Sequence, residues 1–304
     1  MEFENVFSFQ LSFKIMRLPD WVKTAYPSGS VLEIKKSLRS KGLHTVCEEA
    51  RCPNMGQCFS RPTATFMILG DRCTRDCGFC SVTPGTPFPP DADEPRRVAL
   101  AAKEMGLKYV VVTSVTRDDL PDGGAGHFAE TIKALKDTIP GVKVEVLTPD
   151  FSGSTEALSE VISAGPDVFN HNVETVPSLY PVVRPQADYK RSLAVLNAAS
   201  QISGANSGKT AVKSGIMLGL GEKQEEVVAV LKDLLENGCV MLTAGQYLRP
   251  GKNNLPVAEY IEPARFEELK QKALEMGFKS VASGPLVRSS MNAEEYYGCM
   301  NSAE

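Results

Sequence analysis

No stretch of this 304-residue sequence approaches the roughly 20 consecutive apolar residues that a membrane-spanning helix requires, so no transmembrane helix is expected. Positive charge is not in excess either. Lys and Arg number 33 against 37 Asp and Glu, giving a net charge of −4 and a pI near 5.6. That balance offers no electrostatic footprint for nucleic acid. An export signal is also missing: the first residues, MEFENVFSFQLSFKIMRLPDW, put Glu2 and Glu4 where such a signal carries positive charge. A cytoplasmic location is therefore expected, and the eight cysteines suggest metal ligation rather than a disulfide framework. Repeats and low-complexity segments do not occur. What is there, 42% apolar and 23% charged, has an ordinary globular composition and the length for one large domain with a small appendage.

The cysteines are not scattered. Cys73, Cys77 and Cys80 form a Cys-x3-Cys-x2-Cys loop, RCTRDCGFC, with no fourth ligand nearby. Cys47, Cys52 and Cys58 form a second trio, CEEARCPNMGQC, which also lacks a fourth. Soft thiolates favour iron–sulfur clusters or zinc. Structural zinc sites are closed and take four protein ligands, so three Cys with an open position fit a cubic iron–sulfur cluster better. Cys239 reads as a small core residue, and Cys299 falls in what reads as a mobile tail.

From Thr63 onward the texture is strand–helix alternation. Buried-strand runs occur at Thr63–Leu69, Lys108–Val115, Val142–Leu147, Asp167–Val173, Ala211–Leu218, Val240–Tyr247 and Ser280–Val287. Helical periodicity lies between them at Pro95–Met105, His127–Thr138, Thr155–Ala164, Tyr189–Ile202, Lys223–Asn237 and Pro263–Met276. Gly106, Gly165, Gly238 and Gly277 sit where left-handed caps are wanted. This pattern predicts an α/β fold with a parallel sheet and right-handed crossovers. A doubly wound sheet and a barrel share it, but polar residues gather at the strand ends, where barrels carry their chemistry. Examples are Thr113-Ser114, Thr148-Pro149-Asp150, His171-Asn172-Val173-Glu174 and Gln246-Tyr247.

The CTRDCGFC stretch, with Phe79 before its last Cys, resembles the cluster motif of the radical S-adenosylmethionine (SAM) enzymes. In those enzymes the open iron is chelated by the amino and carboxylate groups of the SAM methionine, and electron transfer releases a 5′-deoxyadenosyl radical. From about Leu18 to Ala293 the chain is similar to the lipoyl synthase family. The motifs that carry the likeness are CEEARCPNMGQC, CTRDCGFC, PGTPFPPDADEPRRVA, RDDLPDGGA, PDVFNHNVETV, VRPQADYKRSL, KSGIMLGLGE and GPLVRSS.

The resemblance implies a partial parallel (β/α) barrel of the radical SAM type with N- and C-terminal extensions. Residues 1–16 read as a disordered leader, with Met16 a candidate start. Residues 17–62 become an extension carrying auxiliary-cluster ligands, 63–287 the barrel, and 288–304 a segment closing on the auxiliary cluster. It also implies two 4Fe-4S clusters and SAM as cofactors. Cys73, Cys77 and Cys80 would bind the SAM cluster; Cys47, Cys52 and Cys58 would hold the auxiliary one. The family's fourth auxiliary ligand is the second Ser of Arg-Ser-Ser-Tyr, here Ser290 in Arg288-Ser289-Ser290-Met291, with Met291 departing from Tyr. Read without the family, Ser289-Ser290 is instead a helix N-cap before Met291–Tyr296. The implied reaction inserts two sulfur atoms at carbons 6 and 8 of an octanoyl chain linked to a carrier lysine, with the auxiliary cluster as sulfur source. Implied partners are an octanoylated lipoyl carrier domain or glycine-cleavage H-type protein, a ferredoxin- or flavodoxin-type electron donor, and a carrier that reloads the cluster.

By position, Thr113 and Ser114 are candidates for the SAM methionine amine, Asn172 and Glu174 for the ribose hydroxyls, and Arg184 for the methionine carboxylate. RDDLPDGGAGHF is either an active-site loop or a helix-capping turn. Gly215, Gly219 and Gly221 lack the spacing of a phosphate loop and suggest close backbone approach near the adenine. His44 and His127 have no obvious partners and read as surface or packing residues, and His171 is placed nearer the site. The rival readings are another sulfur-inserting radical SAM enzyme, such as a methylthiotransferase, and a non-catalytic zinc or iron–sulfur scaffold.

Overall fold

The computed structural model of the chain describes residues 17–24, 29–59, 65–206 and 208–301. The leader expected over residues 1–16 and the Thr63-Ala64 start of the first strand lie outside them.

Seven parallel strands form the central sheet: β1 (Thr65–Ile68), β2 (Tyr109–Ser114), β3 (Lys143–Leu147), β4 (Val168–Asn170), β5 (Ala211–Leu218), β6 (Met241–Gln246) and β7 (Ser280–Gly284). They neighbour one another in sequence order, and among the described residues only the short strand His44–Thr45 pairs antiparallel, against the outer edge of β1. This order separates the two architectures left open by the alternation. A doubly wound sheet reverses its strand order at a switch point. Here the order never reverses, so right-handed crossovers place the helices on one face and the sheet curls into an open barrel.

The crossover helices are α1 (Glu94–Glu104), α2 (Ala125–Thr138), α3 (Thr155–Ser163), α4 (Tyr189–Ala205), α5 (Gln224–Glu236) and α6 (Pro263–Met276). Their apolar faces meet the sheet in one core that contains Phe66, Val112, Phe128, Val146, Phe169, Leu196 and Leu231. Ser154 and Asp188 cap α3 and α4 by accepting from backbone amides, satisfying N–H groups that a helix start leaves unpaired. The four expected cap glycines all adopt positive φ, from 67° to 118°.

Two strand expectations run long. The fourth strand stops at Asn170 rather than Val173, because Glu174 turns the backbone to φ 67° before bridging back to Ile216. The seventh stops at Gly284, where the chain leaves the sheet. It then forms a last helix, α7 (Ala293–Asn301), which packs back on β7 and β2 along the open side of the barrel. Cys299 belongs to this helix and not to a tail. No helix among the described residues is long and apolar enough to cross a membrane.

Candidate active site

The Cys73–Cys80 loop leaves the C-terminal end of β1 and is closed like a stirrup by a two-residue parallel pairing, Cys73 opposite Pro84. Four bonds from three segments tie it down. Thr74 N–H donates to Thr116 O at 3.1 Å, Asp76 N–H to Gln186 Oε1 at 2.7 Å, Gly78 N–H to Val183 O at 3.0 Å, and Asn254 Nδ2 to Cys80 O at 2.6 Å. Space at Gly78 is tight: a Cβ there would meet the Leu255 side chain at 3.0 Å and Val182 O at 3.2 Å, so these neighbours would have to shift. Inside the loop, Arg75 is buried and forks onto two carboxylates. It donates to Asp118 at 2.7 Å through Nε and Nη2, and to Asp150 at 2.7 and 3.1 Å. Asp150 also accepts from Arg191 Nε at 2.8 Å. Burial pushes the Asp150 carboxyl up, yet the Arg75 and Arg191 guanidinium groups hold it well below the usual carboxylate range.

The second trio stands on two short helical turns chained by backbone bonds. Cys52 N–H donates to Cys47 O at 3.0 Å, and Cys58 N–H to Asn54 O at 2.9 Å. Thr45 caps the first turn. None of the eight cysteines forms a disulfide. Burial, reinforced by Cys52 and Cys58, pushes the Cys47 thiol up to about 12, and burial does the same to Cys80. Thiols so raised are poor free anions and deprotonate when a metal replaces the proton.

One cavity of about 900 Å³ joins the two loops. Its walls include Cys47, Cys52 and Cys58 of one trio, Cys80 of the other, Asn172, Glu174 and Ser290. Cys73 and Cys77 lie behind Cys80, within electrostatic reach of it. The donor set fits iron–sulfur clusters. The sulfurs fall in two threes: Cys47 lies within electrostatic reach of Cys52 and Cys58, and Cys80 within reach of Cys73 and Cys77. A cubic cluster gives each thiolate its own iron, so its ligands stand further apart than those of a zinc site. The site also fits a polar ligand beside Cys80. Asn172 Oδ1, on the cavity wall, is buried without a partner, and a Cβ on Gly215 would fill the space 2.7 Å from it.

The five SAM candidates divide. Asn172 and Glu174 face the cavity, joined by an Asn172 Nδ2–Glu174 Oε1 bond of 3.1 Å. Burial pushes the Glu174 carboxyl up against the opposing pull of Arg184 and Asn172, and its left-handed backbone is of the kind that persists at functional sites. Thr113, Ser114 and Arg184 sit behind the wall. Thr113 Oγ1 donates to Leu147 O at 2.9 Å, and Arg184 Nη1 to Asn172 O at 2.9 Å and Val173 O at 3.2 Å. Arg184 thus holds the strand end that presents Asn172.

Several other expectations change. The serines at 289 and 290 precede α7 by more than a cap position, since that helix starts at Ala293. RDDLPDGGAGHF is the helix-capping turn, with Asp122 accepting from Gly124 and Gly126 at the start of α2, and its Asp118 also grips Arg75. Gly219 and Gly221 form a turn whose amides are taken by Glu222, with Gly219 N–H at 2.6 Å, which leaves only Gly215 on the cavity wall. His127 is paired with Glu94 at 2.7 Å and His44 with Glu49 at 3.5 Å. His171 is buried between Thr148 O and Ser192 Oγ, behind the sheet. Sequence reasoning missed the roles of Arg75, Asn54, Lys213 and Asn254. Only Arg75 carried a signal, as a charge inside a cysteine loop.

Comparison with known proteins agrees with this geometry. A family model described as the radical SAM superfamily matches residues 67–234, and one described as the N-terminal domain of lipoyl synthase matches residues 5–52. The chain is 56% identical to the lipoyl synthase of Rubrobacter xylanophilus, over 91% of this chain and 85% of that one. It is 55% identical to that of Caldanaerobacter subterraneus, over 92% and 96%. Among solved structures it resembles HydG, a maturase of the FeFe-hydrogenase, with a TM-score of 0.54 and 17% identity, covering 90% of this chain and 65% of that one. Streptococcus suis SuiB bound to S-adenosylmethionine gives a TM-score of 0.54 at 12% identity, over 81% and 57%. These two likenesses concern the fold alone.

Proposed function

The chain belongs to the lipoyl synthase family, and from that premise we infer how its own residues share the work. It is a radical SAM enzyme that inserts sulfur into an octanoyl chain borne by a carrier protein. When bound, SAM and the two 4Fe-4S clusters supply the radical and the sulfide.

Everything else falls to the protein. Cys73, Cys77 and Cys80 hold the SAM-binding cluster on a loop tied at four points, so its position is fixed relative to the strand ends. Asn172 and Glu174 are the polar wall for SAM; Arg184 orients them from behind, and Thr113 and Ser114 complete that layer. Cys47, Cys52 and Cys58 hold the auxiliary cluster, with Ser290 as fourth ligand. An alkoxide is a hard, poorly matched ligand beside three thiolates, which suits a cluster that must open. Val111, Leu147, Ile216 and Met217 line the intervening cavity and suit an alkyl chain from which water must be excluded. The observation that carries the reading is the single cavity walled by both cysteine loops and Ser290.

In this reading residues 17–62 are the auxiliary extension, 63–287 the barrel and 288–304 the closing segment. The carrier is a lipoyl domain or an H-type protein, the electrons come from a ferredoxin or flavodoxin, an iron–sulfur carrier reloads the spent cluster, and the enzyme works in the cytoplasm. Iron and sulfide analysis after anaerobic reconstitution tests the division. We expect about eight iron per chain, and about four when either cysteine trio is changed to Ala. About four in the unaltered chain, or bound zinc, would contradict it.

A further inference from the structure

Ser290 is slung between two anchors. On the cysteine side, Asn54 lies between Cys52 and Cys58, and its Nδ2 donates to Leu286 O at 2.6 Å and to Met291 Sδ at 3.1 Å. On the barrel side, Gln246 N–H of β6 donates to Pro285 O at 3.3 Å near the start of the segment, and next to Ser290 itself the bonds run through Ser289. Its Oγ accepts from Asn172 Nδ2 at 2.8 Å, and its carbonyl accepts from Lys213 Nζ at 2.6 Å.

Lys213 is an unusual group to find there. It projects from β5 into the barrel with its side chain 2% exposed, and its second partner is Glu145 on β3 at 2.7 Å, 0% exposed. Glu145 accepts in turn from Tyr109 OH at 2.7 Å and Asn170 Nδ2 at 3.3 Å. A buried ion pair is weak evidence for stability, because desolvation offsets its attraction and apolar replacements of equal volume are tolerated. What an apolar residue cannot do is aim a charged donor at one backbone carbonyl. Strand-borne and locked by Glu145, the ammonium gives the Ser289 carbonyl a fixed seat and a charge-assisted bond.

The geometry points to Lys213 as the positioning residue that sets the reach of Ser290 toward the N-terminal cysteine trio, acting through the Ser289 carbonyl. The inference rests on the reading of Ser290 as the fourth auxiliary ligand. Without Lys213 the segment keeps the neutral Asn172 bond and, further back, the Gln246-to-Pro285 backbone bond on the barrel side, and Ser290 is held less firmly toward the barrel.

The test uses the full chain with Cys73, Cys77 and Cys80 changed to Ala, so that only the auxiliary cluster is loaded. Three variants are made in it: Ser290→Ala, Lys213→Met, and Lys213→Met with Glu145→Gln, the last leaving no unpaired buried charge. Each is reconstituted anaerobically and read by Mössbauer spectroscopy of the site-differentiated iron and by the rate of iron loss to a chelator. The expected result is that the paired Lys213→Met, Glu145→Gln variant melts like its parent, yet loses iron about tenfold faster and shifts toward the Ser290→Ala spectrum, as befits the loss of one charge-assisted hydrogen bond. A parental spectrum and rate in that variant, beside a changed Ser290→Ala, overturns the role of Lys213 alone. A parental spectrum in Ser290→Ala overturns the ligand reading, and the suspension with it.

Discussion

Asp150 accepts from two guanidinium groups with none of its side chain exposed, and one of them, Arg75, stands inside the cysteine loop. Neutralising it leaves two cations facing an amide in a buried site. Breaking such a pair costs about 3 kcal/mol or more. Asp150→Asn is therefore expected to lower unfolding free energy by that order in a denaturant titration; a loss below about 1 kcal/mol would contradict the buried network. His171 offers a test by pH. Burial, with the Arg184 charge adding to it, holds the imidazole down to about 4. Between the ordinary value of roughly 6.5 and that figure, the unfolded chain binds a proton that the folded chain refuses. Stability is thus full above about 6.5 and falls toward 4, by at most about 1.4 kcal/mol per unit from this group. His171→Gln should flatten that part of the pH–stability curve, and an unchanged slope would rule the assignment out. The cysteines were legible as residues because thiolate spacing is itself the chemistry. The pairing of Arg75 with Asp150 was not, since nothing along the chain says that a loop after the first strand and one after the third will meet.

At the scale of elements, β6 passes under the segment that bears Ser290. A Cβ on Gly245 would sit against the Val287 carbonyl oxygen well inside van der Waals contact, with Arg288 Nη1 at 3.3 Å. Backbone has to move to admit it. Gly245→Ala is expected to cost about 1–3 kcal/mol, typical of overpacking, and to speed iron loss from the auxiliary site while leaving the Cys73–Cys80 site intact. Equal loss from both sites, or from neither, would contradict that placement. The strands and helices themselves were readable to within a few residues, because hydrophobic period and cap glycines are local properties. The misreadings came where tertiary contacts decide. Glu174 breaks its strand early to face the cavity, and the chain past Gly284 gives up sheet pairing to carry Ser289 and Ser290 inward before α7 returns along the open side.

The whole molecule is an open barrel whose strand order puts every chemical group at one end or inside. The two cysteine loops come from different parts of the chain: one hangs from β1, and the other precedes the barrel in sequence and is stitched to its C-terminal segment by Asn54. Sequence alone showed two trios but not that they share a cavity, which depends on how the N-terminal extension wraps the barrel mouth. In the proposed reading the activity depends on that shared cavity. The direct measurement is to load the auxiliary cluster with isotopically heavy sulfide, incubate the enzyme anaerobically with an octanoyl-lysine peptide, SAM and a reductant, and weigh the peptide by mass spectrometry. The expected product has gained two heavy sulfur atoms. SAM consumed with the octanoyl mass unchanged, or sulfur gained without the label, would contradict it.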